Sequence, residues 1–228
     1  MMLLRALTKA NFGYILACLG YCWLLVASFV GCARPAEFIQ VGDTIIYGDT
    51  IDKVAEKLKH SFNEFGDSTL RSHLLMNGLA ESEILHQSLP SKSIEAKERI
   101  LSLAGLLGGY KPEDLSDAQL SGLLLETRYS PPNPSQLGAN IAAEISTLEP
   151  NSWSEPFKTK KGWSIVYLHN RDSALRSKAA VNFSIISIDV GSSKDHNSSK
   201  QTWNTTTLTG SNKLISCLPY EFRVKNKQ

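Results

Sequence analysis

The chain has 228 residues, 42% of them apolar, and a formal charge of +2, enough apolar material for one or two buried cores. Without Arg5 and Lys9, which sit in a leader described below, 22 basic residues meet 22 acidic ones, and a balance of this kind argues against nucleic acid as the main partner. The cysteines Cys18, Cys22, Cys32 and Cys217 show no C-x-x-C pair and no metal-ligand spacing.

The first 32 residues hold no Asp or Glu, and residues 12–30 form an apolar run of about 20 residues, the pattern of an export signal and long enough to span a bilayer. Its end, Ser28-Phe29-Val30-Gly31-Cys32, resembles a bacterial lipobox, which implies lipidation at Cys32. A lipoprotein, an uncleaved membrane anchor and secretion after cleavage all stay open. Each places the rest of the chain in the cell envelope, on the periplasmic or extracytoplasmic face. A Cys32–Cys217 bridge stays open too.

Residues 38–46 read as a strand, a turn at Gly42-Asp43 and a second short strand. Asp49 or Thr50 caps a helix over 51–65, where Ile51, Val54, Ala55, Leu58 and Phe62 recur at helical spacing. A second helix is predicted over 69–88 from Leu70, Leu74, Leu75, Leu79, Ile84 and Leu85, loosened at Gly78. His73 falls on its surface or in its packing. Pro90 interrupts the pattern, and Ser93 caps a third helix over 94–107 that buries Ile94, Ala96, Ile100, Leu101, Leu103 and Leu107 before Gly108-Gly109 stops it. A fourth is predicted over 116–128 with Leu120, Leu123 and Leu124 inward, and the prolines Pro131, Pro132 and Pro134 then forbid helix.

A short helix over 140–148 leads to Pro156, at the start of Phe157-Lys158-Thr159, and to a hairpin whose Gly162 is free to take a positive φ. The hairpin returns as a strand in which Trp163, Ile165 and Tyr167 point one way and Ser164, Val166 and Leu168 the other. Residues 181–190 suggest a last strand. From Gly191 to Asn212 the composition is too polar to offset ordering entropy and reads as a mobile loop, and residues 214–224 regain enough apolar side chains for one edge strand. The fold class is α+β: a helical module over 38–128, a smaller sheet-bearing domain over 129–190 and a polar extension over 191–228.

At residues 148–168 the chain resembles the closing part of parvulin-type (PpiC/rotamase) peptidyl-prolyl isomerase domains. A helix ending in Leu148, the turn Glu149-Pro150-Asn151, Trp153-Ser154-Glu155-Pro156-Phe157, Thr159-Lys160-Lys161-Gly162 and Gly162-Trp163-Ser164-Ile165-Val166-Tyr167-Leu168 follow the family's order and spacing. Val41-Gly42-Asp43-Thr44-Ile45-Ile46 and the leucines of residues 70–85 resemble the opening of exported foldases of the SurA, PrsA and PpiD type. Arg71-Ser72-His73-Leu74-Leu75 resembles the family's opening strand, but the spacing that follows is helical. Tyr129-Ser130 and Leu137-Gly138 resemble the ends of a family loop whose aromatic, glycine-rich continuation is missing here. Ser164 stands where the family keeps an active-site histidine.

The resemblance implies an envelope foldase or chaperone, needing neither cofactor nor metal, that binds unfolded or proline-containing polypeptide through Trp153, Phe157, Trp163 and Ile165. Trp153 and Trp163 are the candidates for a shared aromatic surface. Two other readings accompany it, an active isomerase using a different residue set and an accessory subunit of a membrane complex. No G-x-S-x-G elbow, H-E-x-x-H pair or phosphate loop competes with them, and Asn182, Asn197 and Asn204 open formal glycosylation sequons.

Overall fold

A computed structural model describes residues 37–59, 67–120, 123–130, 134–171 and 181–220. The leader, Cys32, Phe62 and residues 221–228 lie outside them. Among the described residues no helix is long and apolar enough to cross a membrane, and no group of His, Cys, Asp and Glu is placed to hold a metal.

The described residues open with strands β1 (Phe38–Val41) and β2 (Thr44–Tyr47), paired antiparallel. Gly42 at φ 60° supplies the positive φ that opens a two-residue hairpin turn. Helix α1 (Gly48–Lys59) buries Ile51, Ala55 and Leu58. The second helical stretch divides at Gly78: α2 (Asp67–Leu74), a π turn (Leu75–Leu79) and α3 (Ala80–Ser88). Gly78 takes φ 104°, which no β-carbon tolerates cheaply, so the expected loosening is a local break.

Helix α4 (Pro90–Leu107) starts earlier than Ser93, with Pro90 in its first turn, where a missing N–H costs nothing. Its buried stripe is Ser93, Ala96, Ile100, Leu103 and Leu107. Ile94 and Leu101 are instead 59% and 45% exposed. The fourth helix is shorter than its leucine spacing predicts. It survives only as α5 (Asp117–Leu120), and strand β3 (Leu125–Ser130) takes residues 125–130. Pairing of β3 with a later strand along its length outweighs the local helical period, as tertiary contacts commonly do.

The turn α6 (Pro134–Leu137) leads into α7 (Ala139–Thr147). Then come β4 (Ser152–Trp153), β5 (Phe157–Lys158), β6 (Gly162–Arg171) and β7 (Val181–Asp189). The large sheet has the order β3-β7-β6-β4, with β5 also on β6. β4 and β5 form one interrupted edge strand whose register on β6 slips by one residue between them. At the interruption, Ser154 covers for Pro156: its backbone N–H donates to Val166 O at 2.7 Å, and its Oγ accepts Val166 N–H at 3.0 Å.

Both faces of β6 are covered. Trp163 and Ile165 pack with Ile186 and Ile188 against α4; Val166 and Leu168 pack with Phe183, Ile185 and Ile145 of α7. Each such aliphatic side chain contributes about 1.5–3 kcal/mol on full burial.

The polar stretch after Gly191 is not a loop. Ser192 closes a capping box with Asp195 at the start of α8 (Ser193–Thr205), which satisfies N-terminal amides of a helix whose composition alone is unpromising. Trp203 anchors it at 1% exposure. Strand β8 (Leu208–Gly210) then pairs with β1, and residues 212–216 form α9 (Asn212–Ser216) rather than an edge strand. The extension thus completes a second sheet, ordered β2-β1-β8, and shares a core with α1, α2 and α7.

Gly162 does not take a positive φ. A β-carbon there would lie 2.0 Å from Ile188 O, so glycine is required by backbone approach. Gly162→Ala is expected to cost about 3 kcal/mol or more in urea unfolding, as overpacking without relaxation does. Gly105→Ala, in the interior of α4 with nothing within 4 Å of the added carbon, should instead raise stability by about 0.5–1 kcal/mol.

Candidate functional site

The hairpin of β5 and β6 is held closed by Thr159. Its N–H donates to Gly162 O at 2.7 Å, and its hydroxyl donates to the same carbonyl at 3.0 Å and accepts Gly162 N–H at 3.2 Å. The carbonyl of Thr159 points to α3, where Ser82 Oγ donates to it at 3.0 Å.

Beside it lies His86, 4% exposed. His86 Nε2 sits 3.3 Å from both Thr159 O and Gly162 O; Nδ1 is 2.7 Å from Ser93 Oγ. Trp163 Nε1–H donates to that same Ser93 oxygen at 3.2 Å, and the Trp163 and His86 rings meet edge-on at 5.6 Å. One proton assignment satisfies the whole chain. Trp163 donates to Ser93, Ser93 donates to Nδ1, and a neutral imidazole donates from Nε2 to the two carbonyls. Burial pushes the His86 pKa below its ordinary value, the nearby Lys158 ammonium adds to the push, and the carbonyls oppose it.

A serine hydroxyl close to an imidazole has the outline of an activated nucleophile. Here the serine is itself 8% exposed, and the far imidazole nitrogen faces carbonyls rather than a carboxylate. The cluster is a clasp between helices and hairpin.

Around this clasp lie two grooves. The larger, about 950 Å³, runs along the outer side of β5 between β2, α1, α3 and α7. Its apolar lining is Ile45, Tyr47, Val54, Leu79, Pro156, Phe157 and Trp163, and its charged lining is Lys53, Lys57 and Lys158 with Glu56, Glu83 and Glu144. Lys57 pairs with Glu144 at 2.6 Å, and Lys158 with Glu83 at 3.0 Å.

The second, about 560 Å³, lies over the α7-facing side of β6 and β7 and includes Ser164, Ile185, Ser187, Leu137 and Ile141. Ser164 is 0% exposed and shares a hydrogen bond with Ser187 Oγ at 2.8 Å. No histidine lines this groove among the described residues. Asn140 touches both grooves. Its Nδ2 donates to Lys158 O at 2.6 Å, while its buried Oδ1 has no hydrogen-bond partner.

Of the four residues expected to bind peptide, two line the larger groove, Phe157 and Trp163. Ile165 is 0% exposed inside the core against α4. Trp153 packs on the same cluster as Trp163 but does not line the larger groove: its Nε1 donates to Tyr110 O at 2.9 Å, and it meets Tyr167 edge-on at 5.1 Å. His73 is helical, as its spacing implies, and its Nδ1 lies 2.6 Å from Asn77 Nδ2. Sequence reasoning missed Tyr47, Val54, Gln87 and the His86–Ser93 pair. The i, i+7 spacing of the last two on either side of Pro90 was the available signal.

No family model, curated protein or solved structure matches the chain. Fold and site together define an α+β protein with two antiparallel sheets and a mixed apolar and charged groove beside an edge hairpin.

The neutral state of His86 gives the fold a pH dependence. In the unfolded chain the imidazole titrates near its ordinary value of about 6.5, whereas in the fold its pKa lies lower. Between those values the unfolded state binds more protons, so stability is full above about 6.5 and falls as pH drops toward the folded pKa. Thermal unfolding should therefore show Tm falling between pH 7.5 and pH 5, and His86→Gln should flatten that slope while lowering Tm at pH 7.5.

Proposed function

We propose that this chain is an envelope chaperone that holds unfolded or proline-containing segments of exported or membrane proteins. The observation that carries the proposal is the large groove beside β5, whose volume lies within the ~300–1,000 Å³ of ordinary ligand pockets and which presents aromatic and aliphatic side chains between charged ones. Tyr47, half exposed at 51%, gives it an accessible aromatic surface. Binding of this kind needs neither cofactor nor bond chemistry.

The part-buried Ser164–Ser187 pair supports holding rather than isomerisation. Twisting a prolyl bond faces a barrier of about 20 kcal/mol, and two hydroxyls that satisfy each other offer little to a twisting amide. The family resemblance and the leader support the envelope location and the class of client.

The test is suppression of aggregation of a chemically unfolded client, followed by light scattering. Wild-type protein should suppress it at near-stoichiometric ratios. Tyr47→Ser should weaken suppression several-fold, with unfolding stability changed by no more than about 0.5 kcal/mol, the usual range at an exposed site. Absence of suppression by wild type overturns the reading. A parallel proline-isomerisation assay on a short peptide should show only the uncatalysed rate; acceleration lost in Ser164→Ala would make the chain an isomerase. Co-purification of a single stoichiometric partner that protects Tyr47 from modification would make it an accessory subunit.

A further inference from the structure

Strand β2 is the outermost strand of its sheet. β1 takes one of its edges; at Ile45 the other edge is occupied by a side chain. Gln87 Nε2 donates to Ile45 O at 2.9 Å, and Gln87 Oε1 accepts Ile45 N–H at 3.2 Å. One primary amide therefore gives and takes a hydrogen bond at a single residue, the exchange that a facing residue of an antiparallel strand makes.

Both bonds are exposed to solvent, and Gln87 stands in the last turn of α3 on a flexible side chain. Water or another amide replaces such bonds at little net cost. Ile45, Tyr47 and Gln87 line the same groove as Phe157 and Trp163. The groove's basic and acidic side chains balance, with Lys53, Lys57 and Lys158 against Glu56, Glu83 and Glu144. That balance favours an uncharged apolar segment over an acidic or basic one.

Building on the peptide-binding reading above, we propose that Gln87 is a placeholder for a client's peptide group: an extended, uncharged segment displaces it and adds to β2 as an antiparallel strand. Alternate client side chains then enter the groove toward Phe157 and Trp163. Main-chain bonds supply affinity that is indifferent to sequence, as a holder of unfolded chains requires. Proline is accepted where the added strand's N–H faces away from β2 and rejected where it faces Ile45.

The test uses the full chain and a fluorescein-labelled, uncharged peptide of alternating Val, Thr and Tyr, read by fluorescence polarisation. The parent peptide should bind, and Gln87→Ala should bind it about threefold or more tightly because the internal competitor is gone. A single N-methyl group moved along the peptide should weaken binding by about tenfold at alternate positions only, since it removes one strand hydrogen bond at a time.

Equal binding of every N-methylated peptide to wild type would overturn strand addition while leaving the groove a side-chain binding site. No binding of the parent peptide to wild type or to Gln87→Ala would overturn the peptide-binding reading itself. Dimerisation of Gln87→Ala without peptide binding, seen by sedimentation, would make Gln87 a guard against self-pairing and also overturn the proposal. Should Gln87→Ala fail to fold, the N-methyl scan on wild type decides the matter alone.

Discussion

The structure depends on a single polar clasp sealed inside an apolar core. Helices α3 and α4 could slide over the large sheet if only Leu and Ile side chains met there, because apolar contact has no preferred direction. The carbonyls of Thr159 and Gly162, aimed at one imidazole, remove that freedom, and the Ser93 hydroxyl shared by His86 and Trp163 ties in α4. Each group in the chain is satisfied by the next. Withdrawing one leaves a buried donor or acceptor unpaired, at about 1–3 kcal/mol.

Gly162 makes the clasp geometrically possible. Its missing side chain lets β6 lie close to the end of β7, so the hairpin carbonyls come within reach of α3. Phe157 and Trp163 pack into different cores on opposite faces of the sheet, and each contributes to the lining of the groove at the hairpin. The groove is therefore a by-product of how the two sheets are joined, with α7 as its floor: Ala139, Ala142 and Ala143 pack into one core, while Ile145 packs into another. The balanced ion pairs along it, Lys57 with Glu144 and Lys158 with Glu83, keep its wall neutral.

What the sequence disclosed and what it hid divide along the range of the interactions. The hairpin of residues 157–168 was legible because alternation and Pro156 are local signals, and the break at Gly78 and the turn at Gly42 were legible for the same reason; Gly162 was read as a turn residue, and its actual role, the close approach of β7, is long-range. The fourth helix was misread because Leu120, Leu123 and Leu124 obey a helical period that ends where β3 finds β7. Leu124 is 70% exposed, so its place in the pattern was accidental. The polar extension was misread because composition cannot register a capping box or one buried tryptophan. Within the site, Phe157 and Trp163 were legible as aromatic residues on the hairpin. Tyr47 and Gln87 were not, because only the packing of α3 against β2 brings them to it.

The central claim is that extended polypeptide enters the groove between β2 and the hairpin. Titration of uniformly 15N-labelled protein with an uncharged unfolded peptide, followed by amide shifts, tests it most directly. The largest changes should fall on the Ile45 and Tyr47 amides, the Gln87 side-chain amide and the Lys158 amide, with the Trp163 indole signal shifting alongside them. Changes confined to Ser164, Ser187 and Ile185, or none at all, would contradict it.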